Sequence, residues 1–212
     1  MSRLRSRSRG NRTRAFVSGE SRFPRLVALA CHDLRTPLAT VHGFARTLVR
    51  TDLEEPADRY VEMIEAASAQ LAELLDELSL LARIESGRYE PRIESIDSLE
   101  LARAAADELE EGSVTVTVDG EGARVAVEVD ATRRAVRQLT RAAGRHGGLE
   151  SVSLEVRGTE LVISPVTAAA APVVTGDDLR ELGAAAAGDF LRALGATLDV
   201  ADERLVIRLP PA

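Results

Sequence analysis

The sequence predicts an α+β chain, in which a long helical hairpin precedes an α/β-sandwich with helices on one face of a mixed sheet. Three observations carry this. Apolar residues recur at alternating spacings of three and four in two consecutive runs between Phe23 and Leu81, which is a helix-packing seam. From about Ile93 onward, short alternating stretches punctuated by glycine take over, with helical runs between them. A length of 212 residues and a hydrophobic fraction of 45% suit one or two compact domains.

Residues 1–22 hold seven Arg, one acid (Glu20) and few large apolar side chains. Such a stretch buries too little surface to offset its ordering entropy, and a disordered arm is expected. The chain as a whole carries −7, so the arm is basic and the body acidic. The Arg spacing suits phosphate contacts, yet the same composition describes a solvated tail, and a nucleic-acid partner is not expected.

The first helix runs from Phe23 to Arg50, with Val27, Ala30, Leu34, Pro37, Val41, Phe44 and Leu48 on its seam. Pro37 should bend it, because proline lacks the backbone donor and crowds the preceding turn. TDLEEP makes the turn, and Pro56 suits the first turn of a second helix with Tyr60, Ile64, Ala67, Leu71, Leu74, Leu78 and Leu81 on its seam. Gly87 supplies a left-handed cap. One hairpin leaves an apolar stripe on each helix uncovered, so two chains should pair into a four-helix bundle.

Beyond Tyr89 the pattern is mixed: a short strand at 93–96, a helix over 98–109, and two strands, 113–119 and 124–129, around Gly120 to Gly122. A helix follows over 131–145, then a hairpin of 151–157 and 160–163 about Gly158, a glycine-interrupted helix over 178–194, and closing strands at 196–200 and 204–209. The expected division is 1–22 arm, 23–88 helical domain and 89–212 sandwich.

A single cysteine, Cys31, excludes an intramolecular disulfide, fits a reducing compartment and reads as a small packing residue of the bundle. No apolar run approaches the roughly twenty residues of a membrane span, and no apolar segment follows the basic N-terminus. A cytoplasmic protein without a transmembrane segment is expected.

The chemistry concentrates at Cys31-His32-Asp33-Leu34-Arg35-Thr36-Pro37-Leu38-Ala39. A neutral imidazole keeps a lone pair near neutral pH, so His32 is a usable nucleophile. A carboxylate beside it, Asp33, can take a proton from the other ring nitrogen. His32 lies two residues before the seam position Leu34, on the outward side of the helix, where another protein can reach it.

These residues satisfy every position of a phosphoacceptor box written His, Glu or Asp, any residue, Arg or Lys, Thr or Asn, Pro, Leu. The chain thus resembles the sensor histidine kinases of two-component systems. The resemblance implies that His32 carries a phosphoryl group, that Asp33 is its base, and that Thr36 positions a water for dephosphorylating a partner response regulator. It also implies a dimerisation and phosphotransfer domain followed by a sandwich of the histidine kinase ATPase type. Asp130 to Gly148, DATRRAVRQLTRAAGRHGG, has the shape of the family's Asn-box helix, and FLRALGATLDV to RLVIRLP resembles its closing segment.

The nucleotide-holding residues depart from that pattern. Where two Asn four apart would bring ligands to magnesium, this chain has Gln138 and Ala142; a glutamine oxygen can coordinate, an alanine cannot. Where an Asp and Gly-x-Gly would hold adenine, it has Ser164-Pro165-Val166-Thr167 and a row of alanines. The later glycine-rich box is reduced to Gly176-Asp177-Asp178-Leu179, which places two acids where phosphates would lie. Phosphoryl transfer from ATP depends on this positioning, so no cofactor is expected; ATP and magnesium enter only if the chain is an active kinase. His42 reads as solvated and His146 as a helix-end residue with no evident partner.

The expected function is exchange of a phosphoryl group between His32 and the Asp of a receiver domain, by a homodimer without its own ATP use. Two other readings stay open: an ATP-dependent kinase with a divergent pocket, and a non-catalytic scaffold that binds regulators or a partner kinase.

Overall fold

The computed structural model describes residues 22–50, 56–85, 87–109 and 114–212. The Arg-rich arm lies outside these residues except for Arg22, as does the interhelical turn except for Pro56. The described residues begin with α1 (Arg22–Arg50) and α2 (Ala57–Glu85), antiparallel neighbours of equal length. All the seam residues of both helices are buried or half-buried. Phe44 and Tyr60 meet near the turn with ring centroids 5.4 Å apart. Gly87 takes φ +65°, and the amides of Gly87 and Arg88 bond back to Ile84 and Arg83, which closes the helix end as a glycine cap does.

The remaining elements are β1 (Glu94–Asp97), α3 (Ser98–Asp107), β2 (Thr115–Gly122), β3 (Arg124–Val127), α4 (Val129–Gly147), β4 (Ser151–Gly158), β5 (Glu160–Ser164), α5 (Ala171–Val174), α6 (Leu182–Ala193), β6 (Thr197–Ala201) and β7 (Arg204–Arg208). The five-stranded sheet has the order β2-β4-β5-β7-β6, with β2 and β4 parallel and the other pairs antiparallel; β1 and β3 form a separate antiparallel pair. Val152, Leu154 and Val156 alternate inward along β4 and meet Leu101 of α3, Leu139 of α4, and Phe190 and Leu191 of α6 in one core. Each such fully buried side chain contributes about 1.5–3 kcal/mol.

Two expectations are corrected and one element is added. Gly120 to Gly122 do not lie between two strands: β2 runs on through Gly122 to join β4, and β3 joins β1. Residues 178–181 are not helical, and α6 starts at Leu182 behind the N-cap Glu181. The alanine-rich run before it contains the short helix α5, opened by Pro172 near its first position.

Hairpin and sandwich share a joint. Leu26 and Ala30 of α1, Leu81 of α2, and Leu182, Ala185 and Ala186 of α6 form a second buried cluster. The segment leaving α2 is fixed by Tyr89, whose ring lies edge-on to Phe190.

Candidate functional site

His32 lies on α1 with a side chain 77% exposed, and its Nδ1 is 3.1 Å from Oδ1 of Asp33, which is 23% exposed. An ionised carboxylate only accepts, so in this pair Nδ1 carries the hydrogen and Nε2 keeps the lone pair. Nε2 is then the nitrogen able to act as a nucleophile, and the carboxylate could stabilise the positive ring that such an attack would create. Thr36 is exposed one turn further on, and its carbonyl accepts from Thr40 Oγ1 at 3.1 Å. Pro37 is buried on the seam, and α1 continues helically through it to Arg50. Its missing N–H leaves the Asp33 carbonyl without the ordinary partner four residues on.

The structure brings His32, Asp33 and Thr36 together on one helix; the positions compared with a nucleotide site lie elsewhere, between α2, α4 and α6. Gln138 is 5% exposed and donates Nε2 to Glu77 Oε1 of α2 at 2.9 Å, while Ala142 is fully buried. Beside them Arg137 pairs with Glu73 at 2.8 Å. A cavity of about 200 Å³ opens here, lined among others by Asp76, Glu77, Arg134, Gln138 and Phe190. Burial, and next the neighbouring Glu73, pushes the Glu77 carboxyl up to about 7; Glu181 adds to this, and Arg141 and Arg137 oppose it.

The reduced glycine box is internally paired. Asp177 accepts from Thr175 Oγ1 at 2.7 Å, and Asp178 accepts from Arg180 at 2.6 Å. His146 does have a partner: its Nε2 is 2.8 Å from Oε2 of Glu181, whose other oxygen is 3.4 Å from Arg141. His42 is exposed, as expected. The side chain of Cys31 lies outside those described. Glu73 and Glu77 escaped the sequence reading, although their four-residue spacing beside the seam puts both carboxylates on one side of α2, facing whatever packs there.

Among the described residues, no group of His, Cys, Asp and Glu is arranged to hold a metal ion, and no helix is long and apolar enough to cross a membrane.

Residues 25–87 match the family model of the His Kinase A (phospho-acceptor) domain. Among curated proteins, the chain is 29% identical over 182 residues to the histidine protein kinase DivJ of Caulobacter vibrioides, covering 80% of this chain and 30% of that protein. It is 30% identical over 134 residues to the sensor protein DivL of the same organism, covering 57% of this chain and 17% of that one. The chain thus spans less than a third of the length of these relatives. Among solved structures, the histidine kinase AdeS of Acinetobacter baumannii superposes with a TM-score of 0.61 at 18% identity, over 84% of this chain and 97% of that one, a likeness of fold. With the phosphoacceptor box on α1, residues 25–87 belong to the His Kinase A (phospho-acceptor) domain family, and the chain as a whole is similar to histidine kinases in sequence and in fold.

Proposed function

We propose that this chain is a phosphotransfer protein: His32 takes a phosphoryl group from the phospho-Asp of a receiver domain, or from a partner kinase, and returns it to a receiver Asp without using ATP itself. In transfer from a receiver, Nε2 attacks phosphorus, the bond to the Asp oxygen breaks, and the receiver regains a carboxylate. The ring gains positive charge as the phosphorus–nitrogen bond forms, and Asp33 takes or shares the Nδ1 proton. Thr36, exposed on the same helix, is the candidate for orienting a water that dephosphorylates the receiver.

The observation that carries the reading against ATP use is the Glu77–Gln138 bond. The side chain standing where the family places a magnesium ligand is buried and held by the chain's own hairpin. Its companion, Ala142, offers no ligand oxygen. Residues 23–88 would serve as the dimerising and phosphate-carrying part and 89–212 as a docking body. Leu38, Val61, Met63 and Leu75, all large and exposed along the hairpin, support pairing of two copies.

The test is parallel incubation of the full chain with γ-labelled ATP and magnesium, and with a panel of phosphorylated receiver domains, each with His32→Ala as control. Acid-labile label from a receiver but not from ATP is expected. Label from ATP on His32 would make the chain a kinase, a reading that the cavity beside Gln138 favours. Receiver binding without label on His32 would make it a scaffold.

A further inference from the structure

The joint between hairpin and sandwich contains two orphaned acceptors. Glu77 Oε2 and Gln138 Oε1 are buried without a hydrogen-bond partner, although the same two side chains share the 2.9 Å bond from Gln138 Nε2 to Glu77 Oε1. A buried acceptor left unpaired is costly. Both are acceptors while Glu77 is ionised, so neither can satisfy the other. One proton changes this: a carboxylic acid and a primary amide each offer one donor and one acceptor on a planar head, and the terminal torsions of both side chains turn easily.

We propose that Glu77 and Gln138 form a proton-operated latch between the hairpin and the sandwich. With Glu77 protonated, acid and amide bond each other twice and the joint is closed. With Glu77 ionised, one bond remains, a buried charge is added, and the joint loosens.

The surroundings favour this. On α2, Glu73 faces Glu77, and at the N-cap of α6 so does Glu181, itself bonded to His146. Of the α4 cations that act on Glu77, Arg137 is paired with Glu73 and Arg141 with Glu181, although Arg141 Nε is itself buried without a partner; Arg134 lines the same cavity. The apolar cluster of Leu26, Ala30, Leu81, Leu182, Ala185 and Ala186 lies at the same joint, so the latch modulates contacts that otherwise hold. Gly183 lets the heads approach: a Cβ there would sit 2.9 Å from Gln138 Oε1 and 3.1 Å from Glu77 Oε1.

The sign follows from linkage. The carboxyl is held at about 7 when docked, against its ordinary 4.5 when released. Docking is therefore strongest at low pH and weakens as pH rises from 4.5 through 7. The inference concerns the joint and holds whichever way phosphate moves at His32.

The test places a thiol at the joint, Ala186→Cys in a full-length Cys31→Ser background, and follows its labelling by a pyridyl disulfide relative to the unfolded chain at the same pH. Protection should fall about 30-fold between pH 5.5 and 8. Glu77→Gln, which restores an amide pair, should remain protected and lose the pH dependence; Glu77→Met, a neutral side chain of similar length, should also be flat, which covers misfolding of the first. His146→Gln should keep the fall. Flat protection in the Ala186→Cys protein, or a fall that survives both Glu77 replacements, would overturn the latch, as would its loss in His146→Gln alone.

Discussion

Tyr89 donates its phenolic hydrogen to Glu128 Oε2 across 2.6 Å, joining the segment that leaves α2 to the N-cap of α4. The amide of Arg92 donates to the same carboxylate oxygen at 3.3 Å. Burial, then this bond, holds the tyrosine proton well above its usual range, so the contact persists throughout the neutral pH range. Tyr89→Phe should cost about 1 kcal/mol in urea unfolding, and Tyr89→Ala, which also removes the edge-on contact with Phe190, about 3 kcal/mol. Equal losses in the two variants would assign the whole effect to the hydroxyl.

At the phosphoacceptor box, Asp33→Asn keeps the shape but cannot accept the Nδ1 proton as a carboxylate does. Transfer of label to His32 from its phosphodonor should slow by roughly 100-fold, with the circular dichroism spectrum unchanged. An undiminished rate would remove Asp33 from the chemistry.

Close approach decides the outcome at Gly120. Its φ is +117°, and a Cβ would fall 2.0 Å from the carbonyl oxygen of Val156, its partner across the β2–β4 pairing. Gly120→Ala should lower stability by about 3 kcal/mol or more. Gly43, inside α1 with open space around its Cβ position, is the contrast. There, alanine should raise stability by about 0.5–1 kcal/mol. Thermal melts of the two variants moving the same way would refute this reading.

Gly183 tests the crowding at the joint separately from its charge. Gly183→Ala pushes on the head of Gln138 and on Glu77 Oε1, and should destabilise the chain by about 1–3 kcal/mol. The loss should shrink in a Gln138→Ala background, measured as a double-mutant cycle.

The hairpin was legible because its signals are local. Each seam is written in spacings of three and four, and Gly87 and Gly158 stand where a left-handed backbone is required. The phosphoacceptor box was legible for the same reason, its residues lying within two helical turns. What escaped was long-range. His146 and Glu181 are 35 residues apart and Gln138 and Glu77 are 61 apart, so no periodicity links either pair. The pairing of the strands beside Gly120 was not legible either, because β2 takes its partner from beyond α4. Helix α5 hid in an alanine-rich stretch with Pro172, where turn and helix signals compete.

The strand order β2-β4-β5-β7-β6 also dictates a sequence of events during synthesis. Two of its pairings, β4 with β5 and β6 with β7, close between consecutive strands, but β2 emerges from the ribosome before β3, α4 and β4 have been made. Until then Thr115–Gly122 is an unpaired strand, and its Thr-Val-Thr-Val start is the kind of sequence that captures other chains. Asp119 and Glu121, both exposed in the finished sheet, put charge on that strand while it waits. These acids guard the strand against aggregation while neither of its edges is paired, and afterwards along the edge that the finished sheet still leaves open.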